Sequence, residues 1–370
     1  MTAETLIQST LKPVGIHING NNPWDIRINN QQAFSRIIND GALGLGEAYM
    51  DNWWDCERLD MFFDRVLRAK LDEKTNISLR HYFYYFFSKI LNYQSKTRAK
   101  EVAHKHYNLS NELFTLMLDK RMMYSCAYWK NAANLDEAQE AKLELICQKL
   151  QLKPGMTLLD IGCGWGGMAK YAAEKYGARV VGITISDQQA NYAKAHCKDL
   201  PIEIRLQDYR DVNETFDRVV SIGMFEHVGI KNYDTYMQTV HKILKDDGLF
   251  LLHTIGNNQS NLMTNEWTLK YIFPNGMLPS AAQIAETSEK YFVMEDWHNF
   301  GAHYDKTLMA WYQNFTTHWD DIKQDFDDRF YRMWTYYLLS CAGAFRSRSI
   351  QLWQIMFSKN GILGGYVAPR

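Results

Sequence analysis

An α/β fold built on a mostly parallel sheet is what this sequence predicts, and three observations carry it. From Met156 onward, short apolar runs alternate with segments of helical spacing. The first run ends in an acid and turns on glycines, in Leu158-Leu159-Asp160-Ile161-Gly162-Cys163-Gly164-Trp165-Gly166-Gly167. The residues ahead of it carry turn signals and helical spacing without that alternation. At 370 residues the protein has room for one large domain or two ordinary ones.

The N-terminal part has two turn-rich stretches, Asn19-Gly20-Asn21-Asn22-Pro23 and Asp40-Gly41-Ala42-Leu43-Gly44-Leu45-Gly46. Helices are expected over residues 31–38 and 59–71, where apolar residues recur at helical intervals. Residues 1–90 therefore read as a small, mainly helical domain, 91–105 as a linker, and 106–370 as the larger domain. In the latter, strands are expected at 157–161, 180–183, 202–206, 218–222 and 249–253. Two late strands, 291–297 and 351–357, are positioned to pair antiparallel at one edge. Helices are expected over 166–176, over 187–198 behind the N-cap Ser186, and over 233–244 before Asp246-Asp247-Gly248. Such alternation implies right-handed β-α-β units and a ligand at the carboxyl ends of the strands. Residues 257–285 break the pattern and read as an insertion over the mouth of the site.

Composition narrows the function. A net charge of -1 gives no overall reason to expect nucleic-acid binding. The six cysteines (Cys56, Cys126, Cys147, Cys163, Cys197 and Cys341) lack C-x-x-C spacing, so no zinc site and no disulfide framework is expected, and reduced thiols suit a cytoplasmic protein. No signal peptide and no bilayer-length apolar run is evident. Aromatic residues make up 14% of the sequence, which suits either a packed core or an apolar or cationic ligand. The run Tyr82-Phe83-Tyr84-Tyr85-Phe86-Phe87 is followed by Lys89, Lys96, Arg98, Lys100 and Lys105, with Glu101 among them. These residues form either a solvated linker or a contact with an anionic membrane, where each basic residue adds roughly 1 kcal/mol.

The glycine turn reads either as a tight strand–helix packing turn or as the approach to a nucleotide-type ligand. A nicotinamide-binding loop is normally spaced G-x-G-x-x-G and followed by an acid after the second strand. Here the spacing is G-x-G-x-G-G, Thr184 stands after the second strand, and Asp160 precedes Gly162 and Gly164. Those features favour S-adenosylmethionine (SAM) over a dinucleotide. Asp208 is either an acceptor for an exocyclic amine, with Tyr209 stacking on the ring, or a turn and cap residue.

Three polar residues stand where a sheet would deliver them to one cleft: Glu226 after the fourth strand, His253 ending the fifth, and Tyr304 opening a late helix. On the residues alone, Glu226 is the general base, tuned by burial. The segment Tyr124-Ser125-Cys126-Ala127-Tyr128-Trp129 precedes the first strand and can fold over the cofactor. Cys126 reads as a small pocket-lining residue, since no activating partner for a nucleophile is visible.

The sequence resembles the bacterial cyclopropane-fatty-acyl-phospholipid synthases throughout, and the mycolic acid cyclopropane synthases over its second domain. The resemblance rests on Gly44-Leu45-Gly46-Glu47-Ala48-Tyr49-Met50-Asp51, Tyr124–Trp129, the glycine turn, and Met224-Phe225-Glu226-His227-Val228-Gly229. It extends to His253-Thr254-Ile255-Gly256 and Tyr271-Ile272-Phe273-Pro274-Asn275-Gly276. It implies a class I SAM-dependent methyltransferase fold, a Rossmann-like seven-stranded sheet with a small helical N-terminal domain. It also implies methylene transfer from SAM to a cis double bond of a membrane phospholipid acyl group, through a carbocation. SAM would be held by Tyr124, Ser125, Asp160, Gly162, Gly164, Thr184, Gln189 and Asp208 or Tyr209. A bound bicarbonate would be the base, held by Glu226, His253, Tyr304 and the backbone around Cys126 and Ile255. Cys341 matches a cysteine proposed as catalytic in the family, but no reaction step needs a thiolate and helix packing is the preferred reading. The resemblance further implies a homodimer associated peripherally with the inner membrane, acting on unsaturated phospholipids. Two alternatives stand beside it: methylation of an acyl carbon by SAM without ring closure, and lipid binding without catalysis.

Overall fold

The computed structural model describes residues 2–71, 111–260 and 265–370. The aromatic run, the basic residues after it and the 91–105 linker lie outside the described residues. The protein divides into two compact units. The first comprises Met1–Leu91, Leu262–Pro274 and Tyr304–Ile350. The second comprises Asn92–Asn261, Asn275–His303 and Gln351–Arg370.

Among its described residues the first unit is mainly helical, with a two-residue ladder, β1 (Arg27–Ile28) against β2 (Trp54–Asp55), and an isolated bridge between Ile18 and Ile26. Its helices include Gln32–Met50, Leu59–Arg68, Ala302–Thr317 and Asp328–Arg346. The expected turn at residues 40–46 is instead part of the first of these helices, which only kinks at Gly41 (φ 56°). Tertiary packing overrides the low helix propensity of the glycines, a cost of roughly 1 kcal/mol each. Gly46 lies so close to the Trp267 indole that a Cβ there would collide with the ring.

The second unit carries a seven-stranded sheet. Its strands are β3 (Thr157–Ile161), β4 (Arg179–Thr184), β5 (Ile202–Leu206), β6 (Phe216–Ile222), β7 (Leu244–Asn257), β8 (Val293–Asn299) and β9 (Ile350–Ser358), ordered β5-β4-β3-β6-β7-β9-β8. The pairs from β5 through β7 are parallel, and β8 pairs antiparallel with β9 at the edge, as the sequence predicts. Both faces are covered, so the strands read as continuous apolar runs rather than alternating ones. Leu159, Val219, Phe250 and Leu252 pack with the helix Tyr233–Ile243 on one face. Leu158, Val220, Leu249 and Leu251 pack with the helices Leu135–Lys149 and Gly167–Tyr176 on the other. The helix Tyr233–Ile243 ends before residues 246–248, as expected, and those residues lie within β7, which begins directly at Leu244. Residues 257–285 do not form one insertion: Leu262–Pro274 groups with the helical unit, while the helix Ala281–Ser288 stays with the sheet. Among the described residues no helix is long and apolar enough to cross a membrane.

Candidate active site

The site grows from the end of β3. Asp160 pairs with Gly182 of β4 and Val220 of β6, which places it between two neighbours at the centre of the sheet. It is buried, its Oδ2 has no hydrogen-bond partner among the described residues, and burial pushes its carboxyl up to about 7 against the pull of the Lys142 charge. The turn that follows is locked onto β4, because the N–H groups of Gly162 and Cys163 both donate to Ile183 O, at 2.9 and 3.0 Å. Gly162 (φ 81°) and Gly164 (φ 54°) hold left-handed backbone that disfavours any side chain. Among the described residues a Cβ on Gly164 would meet nothing within 4 Å. A bare turn beside a buried acceptor fits a ligand that presents hydroxyl or amine donors, as the SAM reading requires.

At the end of β4 the Thr184 hydroxyl donates to Gln189 Oε1 at 2.9 Å, and Ser186 caps the next helix by accepting from Gln189 N–H. These contacts fix both residues beside the glycine turn. Asp208 takes the cap role: it accepts from Arg210 N–H, and both carboxylate oxygens are engaged by the Arg210 guanidinium, at 2.8 and 2.6 Å. Tyr209 meets the Tyr236 ring edge-on at 5.1 Å.

The segment holding Tyr124, Ser125 and Cys126 is pinned from a helix. Lys142 Nζ donates to Ser125 Oγ at 2.9 Å, and Gln139 Nε2 donates to the carbonyls of Met123 and Ser125. Tyr124 meets Phe114 at 5.2 Å, and Cys126 is completely buried. Lys142 is wholly buried, which pushes its amine down to about 8. Sequence reasoning misses Lys142 and Gln139, yet a signal is present. Both fall on the helical stripe of Leu135, Ala138, Leu143 and Ile146, where apolar residues belong.

The second half of the site stands on β6 and β7. Glu226 follows β6 in a short turn of 3₁₀ helix, and its Oε1 accepts the Ile255 N–H at 2.7 Å. That amide, expected to face an anion, is thus engaged by Glu226. Glu226 Oε2 is buried without a partner among the described residues, and burial pushes the carboxyl up to about 7. His253 pairs in register with Ile222 and is buried beside Phe300. Burial, with the charges of Lys142 and Lys149, holds the imidazole well below its ordinary value, so the ring is neutral. Gln354 of β9, another residue that sequence reasoning does not single out, places its Nε2 3.3 Å from His253 Nδ1. The sheet therefore brings Glu226, His253 and Ile255 together. Tyr304 and Cys341 belong to the helical unit. There Tyr304 stacks on Phe345 at 4.5 Å and meets Trp311 edge-on at 5.9 Å. Cys341 lies on the helix Asp328–Arg346, where packing pushes its thiol up to about 12, out of the range of a working thiolate.

A sheet of this order, ending its central strand in a buried acid and a glycine turn, defines the class: a methyltransferase-type transferase of the SAM-dependent fold. A crystal structure of coclaurine N-methyltransferase bound to N-methylheliamine and SAH shares that fold, at TM-score 0.68 and 22% identity over 86% of this chain and 99% of that one. The family model described as mycolic acid cyclopropane synthetase matches residues 94–355. The protein belongs to that family. It is 57% identical over 360 residues to the cyclopropane-fatty-acyl-phospholipid synthase of Escherichia coli (strain K12), covering 97% of this chain and 94% of the relative. Cyclopropane mycolic acid synthase 2 of Mycobacterium leprae (strain TN) is 37% identical over 288 residues, covering 70% of this chain and 94% of that protein. The crystal structure of mycolic acid cyclopropane synthase CmaA1 complexed with SAH and CTAB superimposes at TM-score 0.66 with 35% identity, over 70% of this chain and 98% of that one.

Proposed function

We propose that this protein is a cyclopropane-fatty-acyl-phospholipid synthase, adding a methylene from SAM across a cis double bond of an unsaturated phospholipid acyl group. The observation that carries the reading is the extent of likeness to the Escherichia coli enzyme, which runs through the helical N-terminal residues as well as the sheet. When bound, SAM supplies the one-carbon unit as a methyl group on a sulfonium, electrophilic enough for an alkene to attack. The Asp160 carboxylate, the bare backbone of Gly162 and Gly164, and the pinned Tyr124–Ser125 segment would hold it, with Thr184 and Gln189 shaping the β4 side.

An alkene is a weak nucleophile, so the residues contribute first by alignment and by excluding water. Aromatic faces in a dry pocket stabilise the cationic charge that follows. Ring closure requires a proton to leave the new methyl group. Glu226, with its carboxyl near 7 and one oxygen unpartnered, and the neutral His253 would hold and orient bicarbonate, whose oxygen is the proton acceptor. Glu226 in its protonated form then serves as a hydrogen-bond donor, which avoids the repulsion of two anions. The backbone at Cys126 completes this reading of the bicarbonate site. The Lys and Arg residues between 89 and 105 would meet an anionic membrane surface, and a homodimer would let two sites act on one membrane patch.

Incubation with SAM and unsaturated phospholipid vesicles tests the proposal. Acyl groups that gain the mass of one CH₂ and show high-field ring protons by NMR support it. The same gain without ring protons indicates methylation without ring closure, and no gain overturns both. Charge reversal at Lys96, Arg98 and Lys100 is expected to weaken vesicle binding; unchanged binding removes the membrane contact.

A further inference from the structure

The strand β9 carries one polar side chain into the neighbourhood of the site. Gln354 sits among Trp353, Ile355 and Met356, is completely buried, and lies on the strand next to β7 in the sheet. Its amide nitrogen is 3.3 Å from His253 Nδ1. An amide NH₂ offers protons and no lone pair, whereas a neutral imidazole has one N–H and one lone pair. With the amide nitrogen turned to the ring, Nδ1 accepts, which leaves the ring proton on Nε2, and Gln354 Oε1 is buried without a partner among the described residues. Among the described residues His253 Nε2 has no partner, although His253 is buried.

We propose that Gln354 is a positioning residue that fixes His253 in the Nε2–H tautomer, so that the ring offers a proton donor rather than a lone pair to an oxyanion. This rests on the reading that Glu226 and His253 hold bicarbonate. Two donors, His253 Nε2–H and the protonated Glu226 carboxyl, then meet an acceptor-rich anion, and neither side chain competes with the anion for the substrate's proton. The tautomer of a working histidine is set by the hydrogen bond at its other nitrogen. Here that partner comes from a strand 101 residues further along the sequence.

The ¹⁵N spectrum of the full-length protein labelled at histidine tests this without any substitution at Gln354. The His253 signals are identified by their absence from His253→Gln. The expected result is a bare Nδ1 and a protonated Nε2 at neutral pH; a proton on Nδ1 overturns the proposal. Gln354→Met is expected to mix the two tautomers and to raise the bicarbonate concentration for half-maximal turnover about tenfold, with SAM affinity unchanged. A pure Nε2–H tautomer in a folded Gln354→Met protein overturns the role of Gln354. Turnover by the natural protein that is indifferent to added or depleted bicarbonate, with the Nε2–H tautomer intact, overturns the bicarbonate reading and leaves the assignment of Gln354 standing.

Discussion

Two buried carboxylates, one in each unit, are held in opposite ways. In the helical unit, Glu47 receives the Arg36 guanidinium and the Lys270 ammonium, each at 2.5 Å, and the Tyr271 hydroxyl at 2.8 Å. Burial works to raise its carboxyl, but the bonds from Lys270, Tyr271 and Arg36 outweigh it and hold the group at about 2. In the sheet unit, the Glu226 carboxyl receives the Ile255 N–H, its own backbone N–H and the Thr254 hydroxyl, yet burial wins, at about 7. Asp160 is in a similar position, with Oδ2 unpartnered. The difference teaches how to separate a structural charge from a working one. Glu47 is satisfied and contributes to holding helices and the 262–274 segment of its unit. Glu226 and Asp160 each keep one oxygen without a partner among the described residues, and the fold bears the cost of burying them.

Substitutions can break that contrast. The largest effect is expected from Glu226→Gln, where turnover should fall 10²-fold or more, the range of a lost acid–base or positioning group. Its unfolding midpoint should hold or rise, and a protein that loses stability in parallel would make Glu226 another Glu47. Stability against pH gives the next effect. The Glu226 carboxyl is near 7 when folded against an ordinary 4.5, so between those values the folded protein retains a proton that the unfolded one has released. Its contribution therefore falls as pH rises through that window, by about 3 kcal/mol. Urea midpoints of the natural protein and Glu226→Gln should diverge from pH 5 to pH 8, in favour of the variant; parallel curves would refute the raised carboxyl.

Glu47→Gln should cost about 2 kcal/mol at neutral pH, because Arg36 and Lys270 lose a charged partner in a half-exposed setting. The sign of its pH dependence is opposite. The stabilisation is fully present above the ordinary value of 4.5 and is lost as pH falls towards about 2. Asp160→Asn should weaken SAH binding about tenfold by calorimetry while leaving the midpoint at pH 8 unchanged or raised. Unaltered affinity would move Asp160 to the structural side. The smallest effect belongs to Cys341→Ser, for which turnover is expected to stay within about twofold, since a thiol near 12 supplies no thiolate. Loss of turnover in a folded Cys341→Ser protein would reverse that assignment.

Much of this molecule is local in origin, and that much could be read from the residues alone. Thr157–Ile161 and Ile202–Leu206 fall where their apolar runs predict, Ser186 caps the helix it precedes, and the turn after Asp160 adopts the left-handed backbone its glycines permit. Asp160, Glu226 and His253 were legible for the same reason, since polar residues at the ends of parallel strands converge on the carboxyl edge of a sheet. Gly41 does break the helix, at φ 56°, but the glycines at 44 and 46 misled, because their preference for turns is worth roughly 1 kcal/mol each and the contact of Gly46 with Trp267 outweighs it. Lys142 and Gln354 were invisible as partners. Their hydrogen bonds to Ser125 and His253 join residues 17 and 101 positions apart. Grouping Tyr304 with the helical unit, rather than with the sheet that precedes it, was likewise beyond reach. The sequence by itself determined the sheet, the glycine turn and which acids end its strands, because propensity and periodicity act over a few residues. Only the tertiary structure decided which of those acids find partners, because whether burial or hydrogen bonding sets a carboxyl's charge depends on groups that the fold brings back from far away.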